Sequence, residues 1–356
     1  MEFLKRVERN QMIKPTTPKR IIRPGIRKAN TLLIYGELFT GKTRQVGRLA
    51  KWIYDTTGKT TRYISADGGG FDVLQNLIDA GIIDAISISG REDIQPTLKL
   101  LAQGWWYDED GAMIEPSHAA NDISNVGMYV VEGTKFICDQ IHQVLLMKSR
   151  TFTEKDVITE VEDIQLDTNT KHTFGLPMLR HYEYVQRAIT NTIRDFQQLI
   201  TRLTGNPMLV FTSHTYEVED DAKRDIRAAA GPAASGKALT KTLPSMFSKT
   251  IHLTTATVRR AIPAAAGKPA STVTENEYRA WFAPHRDQVN LPFWQATMRF
   301  SEEQIQAIRA NPEWQKLYDQ KYLVLPEADQ MGVMRLFDWY EEVRKAAIEM
   351  EAKSGN

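Results

Sequence analysis

Cysteine is the scarcest residue of this chain: Cys138 is the single one among 356 residues. One thiol cannot close an internal disulfide, and zinc sites built from cysteine clusters need several. We therefore expect Cys138 to be a core residue of a protein from a reducing compartment.

Apolar segments of membrane length and an excess of charge of one sign are also missing. No run approaches the roughly 18 apolar residues of a bilayer-spanning helix, and the N-terminus holds no apolar segment of the signal-peptide type. We predict a cytoplasmic protein with no membrane partner. Lysine plus arginine (45) balance aspartate plus glutamate (44), so the total charge indicates no polyanionic partner. With 42% apolar residues, the chain is expected to bury a large globular core.

Residues 1–28 are predicted to form a basic N-terminal arm. Pro15, Pro18 and Pro24 interrupt any helix there. Two uses of such an arm stay open, namely docking on nucleic acid or a neighbouring subunit, and a loosely held tail. Its basic residues are Lys5, Arg6, Arg9, Lys14, Lys19, Arg20, Arg23, Arg27 and Lys28.

The most informative segment is residues 36–43, which we call the phosphate loop. Its Gly-x-x-x-x-Gly-Lys-Thr spacing follows an apolar strand pattern and precedes a helical one, as in nucleotide-binding phosphate loops. Backbone N–H groups of such a loop surround phosphate oxygens, and the following helix adds its positive N-terminus. Lys42 is expected to reach the β and γ phosphates, and Thr43 to bind Mg²⁺. The predicted nucleotide-binding residues are Gly36, Glu37, Leu38, Phe39, Thr40, Gly41, Lys42, Thr43 and Arg44.

Two carboxylates follow predicted strands. Asp67 comes after the strand pattern of residues 61–65 and before three glycines, and Glu132 ends the apolar strand of residues 127–132. Ligands of open α/β sheets bind at the carboxyl ends of strands. Asp67 is therefore a candidate for orienting the attacking water, and Glu132 for holding the Mg²⁺ water shell. For Asp67, a simple aspartate-glycine turn is the alternative.

The second half of the chain adds a histidine and a basic segment. A long amphipathic helix is predicted over residues 178–203, followed by a strand of residues 208–214 that ends in His214, a candidate γ-phosphate sensor or a structural histidine. Residues 226–274 contain no acid. Residues 231–237 are small and suggest a flexible loop along a phosphate backbone, so Arg227, Lys237 and Lys241 are candidates for binding nucleic acid or acting in a neighbour's site. A solvated loop is the alternative.

Further elements complete the predicted α/β chain. Strands are expected near residues 85–88, 249–254 and 277–283, and helices over residues 134–147, 302–309 and 333–353. Trp105 and Trp106 lie in a polar insert, where they either stack on bases or anchor the insert to the core. We predict an ATPase domain over residues 29–290 and a helical C-terminal extension over residues 291–356.

The order of these motifs resembles the RecA-like ATPase core. Residues 128–134, 181–186 and 231–240 are similar to phage-encoded phosphate-loop ATPases of that group, which includes single-strand annealing recombinases. The resemblance implies a mainly parallel twisted sheet flanked by helices, with Asp67 as catalytic acid, Glu132 as second-motif acid, His214 as γ-phosphate sensor and residues 231–241 as DNA-binding loop. RecA proteins usually have Glu where Asp67 lies and Gln where His214 lies.

We therefore expect a Mg²⁺-dependent, oligomeric ATPase that acts on DNA, with single strands favoured, in phage recombination, annealing or replication. Lys42, Asp67, Glu132 and His214 are its predicted catalytic residues, with Thr43 and Glu132 at the metal. Two alternatives share the nucleotide site. One is a packaging or helicase motor, and the other is a nucleotide-binding scaffold with little or no hydrolysis.

Overall fold

The computed structural model describes residues 29–67, 70–88, 94–148, 161–165, 171–175, 179–220, 223–262, 271–286, 294–326 and 331–354. The predicted basic arm, residues 1–28, lies outside them. Within this part of the chain the fold is mixed α/β, as predicted, with a mostly parallel central sheet flanked by helices.

The helices and strands have the following bounds. The strands are β1 (Asn30–Gly36), β2 (Thr60–Ser65), β3 (Ile83–Ser87), β4 (Trp106–Tyr107), β5 (Met113–Ile114), β6 (Val126–Glu132), β7 (Val161–Gln165), β8 (Lys171–Gly175), β9 (Met208–Asp220), β10 (Lys223–Pro232), β11 (Lys249–Ile262), β12 (Ser271–Trp281), β13 (Thr297–Met298) and β14 (Tyr322–Leu325). The helices are α1 (Lys42–Thr57), α2 (Phe71–Asp79), α3 (Ile94–Leu101), α4 (Thr134–Lys148), α5 (Leu179–Arg202), α6 (Gly236–Thr242), α7 (Glu302–Ala310), α8 (Pro312–Gln320) and α9 (Met334–Ser354).

The central sheet has the strand order β14-β12-β11-β1-β9-β6-β2-β3. The five pairs from β11 to β3 are parallel, whereas β12 and β14 are antiparallel to their neighbours. The strand β2 is therefore not adjacent to β1, because β9 and β6 lie between them. Beyond His214, β9 leaves the parallel sheet and forms a hairpin with β10.

Each face of the sheet carries its own apolar core, because side chains alternate along a strand. Leu32 and Ile34 of β1 pack with α1, α7 and α9, whereas Leu33 faces α3, α4 and α5. The predicted helix after the phosphate loop is α1, which buries Val46, Leu49, Ala50 and Ile53 and ends at Gly58, whose φ is 70°. Tyr54, the residue after Ile53, is 37% exposed.

Two interpretations of buried residues are confirmed. Cys138 is a core residue. Trp106 is buried and anchors the insert, so it is not available to stack on nucleic-acid bases. The indole N–H of Trp106 donates to Asp84, and the Arg62 guanidinium lies 4.7 Å from the Trp106 ring centroid.

Two predictions are corrected. Residues 231–235 are not a flexible surface loop, since all five are buried. They lie beside the part of β9 that leaves the parallel sheet, where the Ser213 hydroxyl donates to the Ala233 carbonyl across 2.6 Å. The C-terminal extension is not wholly helical, because β13 pairs with β11 and β14 pairs with β12. That segment thus adds strands to the central sheet.

Candidate functional site

The carboxyl ends of four parallel strands meet around the phosphate loop. The register of the strands aligns Gly36 of β1 with His214 of β9, and Ser65 of β2 with Glu132 of β6. A cavity of about 540 Å³ lies at this edge. The predicted residues that line it are Leu38, Phe39, Thr40, Gly41, Lys42, Thr43, Arg44, Asp67, Glu132 and His214. Sequence positions far apart are therefore brought to one site.

The phosphate loop is shaped by close packing at its start and by its own hydrogen bonds. A Cβ atom at Gly36 would lie 2.4 Å from the Leu253 carbonyl oxygen of β11, so only glycine fits there. The Thr40 hydroxyl donates to the Glu37 carbonyl across 2.9 Å, which closes the turn. Phe39 has φ 64° and its side chain is 93% exposed, an uncommon combination for a large apolar residue.

Lys42 is held by the loop that precedes it. Its Nζ donates to the carbonyls of Gly36 and Glu37 across 3.0 and 2.7 Å, which explains how these two residues contribute to the site. An ammonium group has three N–H donors, so one remains for a phosphate oxygen. Burial lowers the pKa of Lys42 from 10.5 to about 8, while Glu132, Asp67 and Glu37 oppose the change. At neutral pH the group is still mainly cationic.

The two metal-ligand candidates are in direct contact. The Thr43 hydroxyl donates to Glu132 Oε1 across 2.7 Å. Glu132 is 4% exposed. The Ser65 hydroxyl lies 3.1 Å from Asp67 Oδ1 and 3.5 Å from Glu132 Oε2, and thus connects the two carboxylates.

Burial raises the pKa of Glu132, and Asp67 adds to the rise. The hydroxyls of Tyr63 and Thr43 and the charge of Lys42 oppose it. The Tyr63 hydroxyl is itself buried beside this carboxylate, outside standard hydrogen-bond geometry. Burial, followed by the charge of Glu132, raises the pKa of Tyr63 well above 10.

His214 lies across the loop from the carboxylates. Its ring makes an edge contact with Phe136, with 6.0 Å between centroids, and its Nδ1 is buried without a hydrogen-bond partner among the described residues. Burial and the nearby Lys42 charge lower the pKa of His214, and Asp67 opposes them. The imidazole is therefore neutral at pH 7 and offers one N–H donor.

The predicted nucleic-acid residues are not in this cavity as far as they are described. Lys241 is exposed in the last turn of α6. Lys237 lies in the first turn of α6 and Arg227 lies on β10, where it is aligned with Glu219, but their side chains fall outside the described structure. The prediction for these three residues stays a prediction.

A metal at this site would depend on the nucleotide. Among the described residues, no group of three or more His, Cys, Asp or Glu side chains clusters as a metal site. Mg²⁺ commonly takes one or two protein oxygens and completes its shell with phosphates and water. The paired oxygens of Thr43 and Glu132 fit that requirement.

Several cavity residues escape sequence reasoning. Phe136, Thr212 and Ser213 line the cavity, and Gly70 packs against Glu132. In the sequence, only their positions near the predicted strand ends could have pointed to these residues. Arg48, Tyr278, Leu325 and Pro326 also line the cavity and carry no motif.

No protein-family model matches the sequence, and no curated protein matches it either. In the described structure, no helix has both the length and the apolar character needed to cross a membrane.

Proposed function

We propose that this chain is a Mg²⁺-dependent ATPase with a RecA-like core. One observation carries the proposal: a single cavity is lined by Lys42 and Thr43 of the phosphate loop together with Asp67, Glu132 and His214. These last three residues lie where the parallel pairing of three different strands ends, so their meeting depends on the sheet as a whole and not on one local turn.

Each residue has a role that its surroundings support. Lys42 neutralises the β and γ phosphates, and the phosphate loop binds them through backbone N–H groups. Thr43 and Glu132 would hold Mg²⁺, and the ion would neutralise charge on the transferred phosphoryl group. Asp67 orients the attacking water, and the His214 N–H group donates to the γ-phosphate.

Phosphate release by the purified chain tests this proposal. Lys42→Ala is expected to abolish turnover, because phosphoryl transfer depends on electrostatic stabilisation. Lys51→Ala is the matched control, since Lys51 lies on the same helix and forms an exposed ion pair with Asp55. Equal turnover in both variants would contradict the proposal. Tight ATP binding without any hydrolysis would favour the scaffold alternative.

We further propose that the ATPase acts on DNA. The acid-free segment of residues 226–274 and the exposed Lys241 support this step. The contacts of Ser213 with Ala233 connect the γ-phosphate end of the cavity to the turn before α6, the helix that carries Lys237 and Lys241. The motif resemblance supports a role in phage recombination, annealing or replication.

ATPase rates with single-stranded DNA, double-stranded DNA and no DNA, across a salt series, test the DNA step. Stimulation by single strands, with an affinity that falls steeply as salt rises, is the expected result. Lys241→Glu is expected to weaken stimulation, with Lys51→Glu as control. Directional strand displacement would favour the motor alternative, and an unchanged rate under all conditions would contradict a DNA role.

We also propose a homo-oligomer in which a second copy covers the nucleotide site. Four large apolar side chains are exposed at the rim of the cavity, which is unusual for a surface that faces only water. They are Leu38 (66%), Phe39 (93%), Val73 (57%) and Phe136 (40%). Sedimentation with and without ATP tests this: Phe39→Ser is expected to reduce association. Ile348→Ser is the control, since Ile348 is an exposed residue of α9 that does not line the cavity. A wild-type chain that stays monomeric with ATP would contradict it.

A further inference from the structure

The nucleotide cavity extends past the phosphate loop, away from the proposed catalytic residues. Its far end is lined by Arg44 and Arg48 of α1, by Tyr278 of β12, and by Leu325 and Pro326 at the end of β14. The phosphate loop, Asp67, Glu132 and His214 account for the near end only. A ligand that filled the whole cavity would need a second part beyond its phosphates.

The sheet order separates the two ends. The strands β9, β6 and β2, which lead to His214, Glu132 and Asp67, lie on one side of β1. The strands β11, β12 and β14 lie on the other side. In a nucleoside triphosphate the terminal phosphate and the base are at opposite ends. With the terminal phosphate directed at the carboxylates and the metal, the base must extend toward β12 and β14.

The far end has the chemistry of a base-binding site. Tyr278 is half-buried and is aligned with Leu325 in the pairing of β12 with β14, so that a phenol ring and an aliphatic side chain share one face. Pro326 adds a further apolar surface. Arg44 and Arg48 are one helical turn apart on α1, and planar guanidinium groups stack well on aromatic rings. Apolar lining with few polar groups is typical of small-molecule sites.

The C-terminal segment is also fixed to the helix that follows the phosphate loop. The buried Val333 N–H donates to Gln45 Oε1 of α1 across 3.0 Å. A Cβ atom at Gly332 would lie 2.0 Å from the same oxygen, so the turn before α9 fits closely against α1. The position of Leu325 and Pro326 relative to the phosphate loop is thereby set by packing, through the sheet and through this contact.

We propose that Tyr278, with Leu325 and Pro326 from the C-terminal segment, forms the subsite for the nucleotide base. The inference rests on the proposed nucleotide function and extends it. It assigns the C-terminal segment a direct part in ligand binding. The phosphate loop then supplies affinity for the triphosphate, and β12 with β14 supplies affinity for the nucleoside.

Calorimetric binding of Mg²⁺-ATP and of Mg²⁺-tripolyphosphate, which lacks the base, tests the proposal. Tyr278→Ala is expected to weaken ATP binding by about tenfold or more, because an aromatic side chain stacked on a base contributes that order of affinity. Binding of tripolyphosphate is expected to stay unchanged. Tyr278→Phe keeps the ring and should bind ATP nearly as the wild type does. Tyr184→Ala is the matched control, since Tyr184 is an exposed tyrosine of α5, on the opposite face of the sheet.

The outcomes separate this inference from the proposed function. Equal weakening of ATP and tripolyphosphate binding in Tyr278→Ala would overturn the base subsite, and so would unchanged ATP binding. Either result would leave the proposed role of the phosphate loop intact. A wild-type chain that binds tripolyphosphate as tightly as ATP would overturn it too. A wild-type chain that binds neither ligand would overturn the proposed function and the subsite together.

Discussion

The Thr43 hydroxyl donates a hydrogen bond to Glu132 Oε1 across 2.7 Å, and so joins the first turn of α1 to the end of β6. The two residues are 89 positions apart in the chain. Burial disfavours the ionised form of Glu132. This donor, the Tyr63 hydroxyl and the charge of Lys42 stabilise that form. The same oxygens are the ones that we propose for Mg²⁺, so metal binding would replace a contact that already holds them together.

Glu132→Gln is expected to stabilise the ligand-free protein at neutral pH and to lower turnover by about 10² or more. Burial raises the folded-state pKa of Glu132 above its ordinary value of 4.5. The stability linked to this group is therefore complete below pH 4.5 and is lost as pH rises through the folded-state pKa. Glutamine carries a neutral amide in place of the carboxylate, so the variant does not lose this stability as pH rises.

Denaturant unfolding of the ligand-free protein at several pH values checks the prediction. The difference between variant and wild type should grow as pH rises from about 4.5. Glu109→Gln is the control, since Glu109 is an exposed carboxylate of the insert. A variant that is less stable than the wild type at pH 7 would show that the carboxylate has stabilising contacts that exceed its burial cost.

Gly70→Ala is expected to displace the Glu132 carboxylate. A Cβ atom at residue 70 would lie 2.5 Å from Glu132 Oε2. Because that side chain is buried and bonded to Thr43, we expect a loss of about 1 kcal/mol in the free energy of unfolding and a tenfold or greater loss of turnover. A double-mutant cycle isolates the contact: in a Glu132→Ala background, Gly70→Ala should cost little stability. An equal cost in both backgrounds would place the strain elsewhere.

The near end of the site was predictable because its signals are local. The glycine spacing of residues 36–43, the strand before it and the helix after it all occur within one short segment. Asp67, Glu132 and His214 were predicted from one rule, that polar residues at the ends of parallel strands meet at one edge of the sheet. The register of β1 with β9 and of β2 with β6 follows that rule.

The remaining features depend on pairing between distant segments. The insertion of β9 between β1 and β6 is a property of the whole sheet, which no local pattern contains. Tyr278 and Leu325 lie on separate strands and carry no motif, so their place in the cavity follows only from the pairing of β12 with β14. Residues 231–235 have the composition of a flexible loop, yet the same small side chains allow close packing against Ser213.

ATP affinity is expected to fall as pH rises above about 8. The free protein has a Lys42 pKa of about 8, since burial destabilises the cation. Triphosphate binding favours the protonated form of Lys42, so binding at higher pH must be accompanied by the uptake of a proton. The dissociation constant should therefore rise by up to about tenfold per pH unit above this pKa.

Calorimetry with a non-hydrolysable ATP analogue between pH 7 and 9.5 measures this linkage. Proton uptake at pH 8.5, detected from the dependence of the heat on the buffer, is the direct observable. Lys51→Ala should show the same profile as the wild type, because its exposed ion pair lies outside the cavity. A constant affinity over this pH range would contradict the assignment of Lys42 as the cation that meets the phosphates.

His214 is expected to act as a neutral hydrogen-bond donor rather than as a cation. Burial and Lys42 lower its pKa, so the imidazole is uncharged at pH 7. A glutamine amide is also a neutral donor of similar reach, and His214→Gln should keep turnover within about tenfold of the wild type. His214→Ala removes the donor and should lower kcat by about 10², with a smaller effect on ATP affinity, because the contact strengthens as charge develops on the γ-phosphate.

Steady-state kinetics between pH 6 and 8 distinguish the neutral donor from the cation. His118→Ala, at an exposed histidine of the insert, is the control. An inflection near pH 7 that disappears in His214→Ala would mean that the charged imidazolium acts in turnover, because the pKa of the neutral donor is lowered and adds no inflection there.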